Sequence, residues 1–180
     1  MSRSTTSLYL LRHAHAGDPA RWEGSDDRRP LSGRGRHQAE ALATHLARLS
    51  PGIEVIVSSP KVRAVQTAEF VARAVGLPIT IDERLGGGLS IGAAEQVLVS
   101  VGDPASAMFV GHDPDFSELV ADLIGAPSIP MRKGALARLD TSRPIHLGSA
   151  ILRWLLPPDA IETADGSNDR KPEGSTDGPS

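Results

Sequence analysis

Two arginines and two histidines in this chain stand where separate segments could deliver them to one anion. Arg12 and His13 lie directly behind the apolar stretch Ser7 to Leu11. Arg63 follows Ile53 to Val57 and the turn Ser58-Ser59-Pro60, and His112 ends the run Ala107-Met108-Phe109-Val110-Gly111. A neutral imidazole nitrogen can attack phosphorus, giving a phosphohistidine whose labile nitrogen–phosphorus bond water then cleaves. Guanidiniums are planar, permanently charged forks that match phosphoryl oxygens. Fixed donors of that kind stabilise the charge that develops on the equatorial oxygens during transfer. His112, if protonated, adds another donor and another charge, and its protonation is not written in the sequence. These residue types point to phosphoryl chemistry that needs no metal and no cofactor, with one of the two histidines as attacking group.

The elements that must position them alternate strand and helix, which predicts an α/β fold: a three-layer α/β/α sandwich around a mostly parallel central sheet. Ser7 to Arg12 reads as the first strand, followed by a polar loop from His13 to Leu31. Ser32 is placed to cap a helix carrying Ala39, Leu42, Leu46 and Leu49 at helical spacing, which stops before Pro51-Gly52. Ile53 to Val57 has the β-branched content of a buried strand. A helix is predicted from about Pro60 to Val75, with Gly76 as its stop. Pro78 to Ile81 reads as a third strand, and Ala93 to Val101 as a short helix before Gly102-Asp103-Pro104. Ala107 to Val110 is a fourth strand, and Pro114 opens a helix with an apolar stripe of Phe116, Leu119, Val120, Leu123 and Ile124. Ala135 to Leu139 and Ala150 to Leu156 are expected to add two strands, one of them antiparallel. His13, Arg63, Glu83 and His112 then follow four different strands, and open α/β sheets bind ligands beyond the carboxyl ends of their strands.

Each candidate also has a plain reading. A lone histidine is usually a surface or hydrogen-bonded core residue, Arg63 could pair with Glu69, and His112 could cap the helix behind it, a task Asp113 fits equally. Arg29, beside Arg28 and near Asp26 and Asp27, reads either as an anion contact or as part of a solvated basic pair. Glu83 reads either as a proton donor to an oxygen leaving group or as an ordinary strand-end carboxylate. Lys133 reads as structural or as a rim charge. Gly86-Gly87-Gly88 lacks the lysine and hydroxyl of a nucleotide P-loop and reads as a turn.

Composition bounds the rest. At 180 residues, with 39% apolar residues, the chain suits one domain. Acidic residues outnumber basic ones by 22 to 19, so no bulk attraction to nucleic acid or membrane is expected. The absence of cysteine excludes disulfides, thiolate metal sites and a cysteine nucleophile. No apolar run approaches the roughly 20 residues that span a bilayer, and the expected compartment is the cytoplasm. From Asp159 to Ser180 one large apolar residue, Ile161, stands among Gly, Ser, Asp, Pro and Glu. That composition predicts a disordered tail behind a domain at residues 1–158.

Taken in order, Leu11-Arg12-His13-Ala14, Arg29-Pro30-Leu31-Ser32 with Gly35 and Arg36, Ser58-Ser59-Pro60 with Arg63-Ala64 and Gln66-Thr67-Ala68, and Val110-Gly111-His112-Asp113-Pro114 resemble the histidine phosphatase superfamily. With Lys133-Gly134-Ala135 and Leu152-Arg153-Trp154-Leu155-Leu156-Pro157-Pro158, the likeness is to its compact SixA-type phosphohistidine phosphatase branch, over roughly residues 7 to 158. The resemblance implies a phosphoglycerate mutase-like fold and a metal-independent hydrolase. It makes His13 the phosphorylated nucleophile, Arg12, Arg63 and His112 its phosphate-binding partners, and Arg29 a further contact. Ala14 departs from the common Arg-His-Gly, and the short segment Glu83 to Val101 leaves little room for a lid. An open pocket suits a phosphohistidine on a protein. The alternatives are small phosphate esters or nucleotide polyphosphates as substrates, and a phosphate-binding module without turnover.

Overall fold

In a computed structural model, residues 5–165 can be described. The elements are β1 (Thr5–Arg12), α1 (Gly33–Leu49), β2 (Val55–Ser58), α2 (Val62–Val75), β3 (Ile79–Ile81), α3 (Ile91–Ser100), β4 (Ser106–Gly111), α4 (Asp115–Ile124), β5 (Leu136–Ser142), β6 (Ala150–Leu156) and α5 (Pro158–Asp165). Single 3-10 turns at Pro19–Arg21 and Asp26–Arg28 punctuate the long loop after β1, and a third covers Glu83–Gly86.

The six strands form one sheet in the order β3-β2-β4-β1-β5-β6. β3, β2, β4 and β1 run parallel, while β5 is antiparallel to β1 and β6 antiparallel to β5. Both faces are covered, which is why β1 and β4 read as continuous apolar runs rather than alternating ones. Leu8, Leu10, Ala107 and Phe109 pack with residues of α3 and α4, among them Val97, Leu98, Phe116 and Leu119. Tyr9, Leu11, Met108 and Val110 pack on the other face with Leu42, Leu46, Ala64 and Val71 of α1 and α2. The result is the expected three-layer sandwich.

Helix boundaries follow the predicted stop and start chemistry. The Ser32 hydroxyl accepts from Gly35 N at 3.1 Å to open α1, and α2 ends on Gly76 in the left-handed region at φ 72. α2 begins two residues later than the Pro60 expectation, because Lys61 is extended. Gly35 has a steric reason to be glycine: a Cβ there would lie 1.9 Å from the carbonyl oxygen of His15, so α1 presses directly on the loop that leaves β1.

The expected boundary after Pro158 is corrected. Pro158–Asp165 is a helix, and Ile161 is buried in the cluster beneath α1 and α2. A single large apolar residue on one helical turn suffices to seat this segment against the domain. The remainder of the predicted tail, 166–180, lies outside the described residues. Among the described residues, no helix is long and apolar enough to cross a membrane.

Candidate active site

Strand register assembles the site. Arg12 is paired with Gly111 and Ser58 with Val110, so the residues after β1, β2 and β4 emerge side by side. Two backbone bonds extend this order past the strands, from His13 N to Gly111 O at 2.9 Å and from Ser59 N to Val110 O at 2.9 Å. The His13 and His112 rings consequently lie next to each other, tilted by 54° with centroids 5.2 Å apart. Arg63, in the first turn of α2, places its Nε 3.3 Å from His13 Nε2. His13, His112 and Arg63 are 5%, 6% and 4% exposed, and Arg12 is half-buried.

The hydrogen bonds of His13 define its tautomer. Its Nδ1 lies 2.7 Å from the carbonyl oxygen of Ala14, which can only accept, so the proton sits on Nδ1. The Arg63 guanidinium can only donate, so Nε2 carries the lone pair. Burial pushes the His13 imidazole down to about 3. The Ala14 carbonyl opposes that shift, and the charges of Arg63, Arg12 and Lys133 reinforce it. A neutral ring with a defined lone pair in a cationic surround is the state from which an imidazole attacks phosphorus.

His112 is also neutral, contrary to the protonated form considered from sequence. Burial lowers it to about 3, followed by the effects of His13, Arg63 and Lys61. Its Nε2 is 2.6 Å from the Ser59 hydroxyl, which also accepts from Lys61 N at 3.2 Å. Among the described residues its Nδ1 is buried without a hydrogen-bond partner, and so is Nε of Arg12. Arg12 Nη1 is held by Asp113 Oδ2 at 3.2 Å and by the carbonyl of Met131. Ser117 steadies Asp113 by donating to Oδ1 at 2.8 Å.

The Gln66-Thr67 motif on α2 has a structural explanation. Thr67 Oγ1 donates to the carbonyl of Arg63 at 2.7 Å and accepts from Ala14 N at 3.1 Å, tying α2 to the residue after the nucleophile candidate. Gln66 Oε1 accepts from Leu31 N at 2.8 Å and anchors the first loop.

That loop contributes a residue whose importance the sequence did not reveal. Asp26 receives Arg63 through its carbonyl at 2.6 Å and its Oδ2 at 2.8 Å, and receives Arg29 Nε on Oδ1 at 2.9 Å. Burial pushes the Asp26 carboxyl up, but the two guanidiniums outweigh it and hold it below the usual carboxylate range. Arg29 is itself buried, with Nη1 on the Ala16 carbonyl at 2.7 Å. Arg29 is therefore not part of a solvated basic pair: it is ion-paired to Asp26, and the same carboxylate joins it to Arg63.

Glu83 does not join this group. It opens the 3-10 turn behind β3, is exposed, and makes no hydrogen bond or ion pair among the described residues. β3 is an edge strand, separated from β1 by β2 and β4, roughly 14 Å away at the usual strand spacing. Following a strand placed Glu83 at the correct end of the sheet, but strand order put it at the far side.

Comparison with known proteins decides the family. The model of the histidine phosphatase superfamily (branch 1) matches residues 8–95. Phosphohistidine phosphatase SixA of Escherichia coli is 30% identical over 165 residues, covering 87% of this chain and 97% of the relative. The chain belongs to the histidine phosphatase superfamily. The solved structure of the protein histidine phosphatase SixA complexed with tungstate superimposes with a TM-score of 0.74 at 26% identity, over 87% of this chain and 99% of that one. The 8-oxo-(d)GTP phosphatase of Mycolicibacterium smegmatis is 39% identical over 69 residues, 38% of this chain, which spans 21% of that relative's length. Membership makes this histidine phosphatase a hydrolase acting on phosphoryl groups, with the phosphoglycerate mutase-like α/β fold expected from its motifs.

Proposed function

We propose that this chain hydrolyses phosphohistidine on a protein through a covalent intermediate on His13. His13 Nε2 attacks phosphorus, and the bond from phosphorus to the substrate's imidazole breaks. The departing ring, protonated by solvent on its other nitrogen, leaves as neutral imidazole. Water then attacks phospho-His13, releasing inorganic phosphate and restoring the neutral ring. Arg12, Arg63 and His112 hold the phosphoryl oxygens, and Arg29 acts through the Asp26 carboxylate it shares with Arg63.

One observation carries the choice of substrate. The carboxylates touching the catalytic arginines, Asp26 and Asp113, are both ion-paired, and Glu83 is remote. An ester oxygen needs a positioned acid to leave as an alcohol, whereas a phosphorylated imidazole can collect its proton from water. The likeness to SixA across the whole domain supports the same reading. A second reading, hydrolysis of nucleotide polyphosphates or small esters, draws on the partial likeness to the 8-oxo-(d)GTP phosphatase.

A panel assay separates the two. The purified protein should dephosphorylate a histidine-phosphorylated protein domain with a kcat/KM at least tenfold above its values for sugar phosphates and nucleoside triphosphates. The reverse order would establish the second reading instead.

A further inference from the structure

A second cationic cleft adjoins the nucleophile. It has a volume of about 210 Å³ and is lined by the polar residues His15, Arg34, Gln38, Arg132, Lys133 and Asp159, together with Pro158. Its residues are tied to the catalytic strand by backbone: Gly134 N, next to Lys133, donates to the carbonyls of Arg12 at 3.1 Å and His13 at 3.0 Å. His15 follows His13 by two positions, and its N–H donates to Gln38 Oε1 at 3.0 Å.

Two cationic side chains of this cleft, Lys133 and Arg34, are unspent among the described residues. Lys133 makes no hydrogen bond or ion pair among the described residues, and burial together with Arg12, Arg29 and Arg63 lowers its pKa. Arg34 likewise has no hydrogen bond or ion pair there. His15 Nδ1 lies 2.8 Å from the Ser32 hydroxyl and 3.2 Å from Gly17 N. Burial, Lys133 and Arg34 lower the pKa of this ring. Asp159 of α5 meets Arg132 at 3.3 Å, which leaves the cleft with an excess of positive charge. Like charges gathered at one place are relieved by an anion, and charge-assisted hydrogen bonds give that anion a fixed position.

We propose that this cleft binds a second anionic group of the substrate, a carboxylate or a phosphate, while His13 engages the scissile phosphoryl. The inference uses the phosphoryl-transfer reading only to place that phosphoryl. It makes the enzyme selective for phosphoryl groups with an anionic neighbour, chiefly through Lys133 and Arg34.

Calorimetric titration with orthophosphate and inorganic tripolyphosphate tests it. The wild type should bind tripolyphosphate more than tenfold tighter than orthophosphate. Lys133→Gln and Arg34→Gln should each reduce that preference at least fivefold, and Arg73→Gln, which removes one charge at the far end of α2, should not. No preference in the wild type, an unchanged preference in both cleft variants, or an equal loss in Arg73→Gln would overturn the proposal. Two kinetic comparisons identify the source of the anion. A kcat/KM advantage for a phosphohistidine peptide with neighbouring glutamate over glutamine, lost in Arg34→Gln, assigns a protein carboxylate. The same advantage for a nucleoside triphosphate over its monophosphate assigns a phosphate. Failure to hydrolyse either peptide would sink the phosphohistidine reading, while the titration would still decide the cleft.

Discussion

At the scale of single residues, the proposed function rests on the protonation of one ring and the donors around it. His13 has its lone pair on Nε2, fixed by the Ala14 carbonyl on one side and Arg63 on the other. Arg63 is buried and its Nε points at that nitrogen while Asp26 holds the rest of its fork, so it is fixed toward the phosphoryl oxygens with little screening by solvent. Arg63→Ala should therefore lose roughly 3 kcal/mol or more of transition-state stabilisation, about a hundredfold in kcat/KM. Steady-state kinetics on a protein that retains its melting temperature measures this, and a rate within twofold of wild type would place Arg63 outside the mechanism. That Arg12, His13, Arg63 and His112 lie at one end of the sheet was legible in the sequence because each is a chemically distinctive residue past an apolar run. Asp26 was not, because its importance depends on how the loop 13–31 folds back over α2, a tertiary fact that no local pattern encodes.

At the scale of elements, the site is a product of register. Parallel pairing of β1 with β4 and β4 with β2 sets three strand ends level, and the turn into α2 swings Arg63 onto His13. The alternation of strands and helices, Ser32 as cap and Gly76 as stop were readable from residue chemistry alone. Strand order was not, and that is what separates His112 from Glu83: both follow strands, but only β4 lies next to β1. α5 escaped the sequence reading because its composition is polar apart from Ile161, whose burial against α1 and α2 outweighs the average. Ile161→Ala should cost about 2–4 kcal/mol, lowering the melting temperature by several degrees. An unchanged melting temperature would show that α5 contributes no packing energy.

At the scale of the whole molecule, a chain with net charge −3 concentrates buried imidazoles and guanidiniums at one end of its sheet. That concentration links stability to pH. His13 and His112 titrate near 3 when folded, against about 6.5 when unfolded. Between those values the unfolded chain binds more protons, so stability falls as pH drops below about 6.5. The slope is up to about 1.4 kcal/mol per pH unit for each histidine. Asp26, Glu95 and Asp140 are held below their ordinary values and lose their contribution only at lower pH. The urea midpoint should therefore be lower at pH 5 than at pH 7, and His112→Gln should show a smaller difference. Equal midpoints at the two pH values in the wild-type protein would mean that these rings are not held neutral by the fold.

The most direct test of the account is to trap the intermediate. Mixing the enzyme with a phosphorylated substrate, quenching within milliseconds under alkaline conditions that preserve phosphohistidine, and mapping the modified peptide should locate one phosphoryl group on His13. His13→Ala should show neither that adduct nor turnover. A phosphoryl group on another residue, or undiminished hydrolysis by His13→Ala, would contradict it.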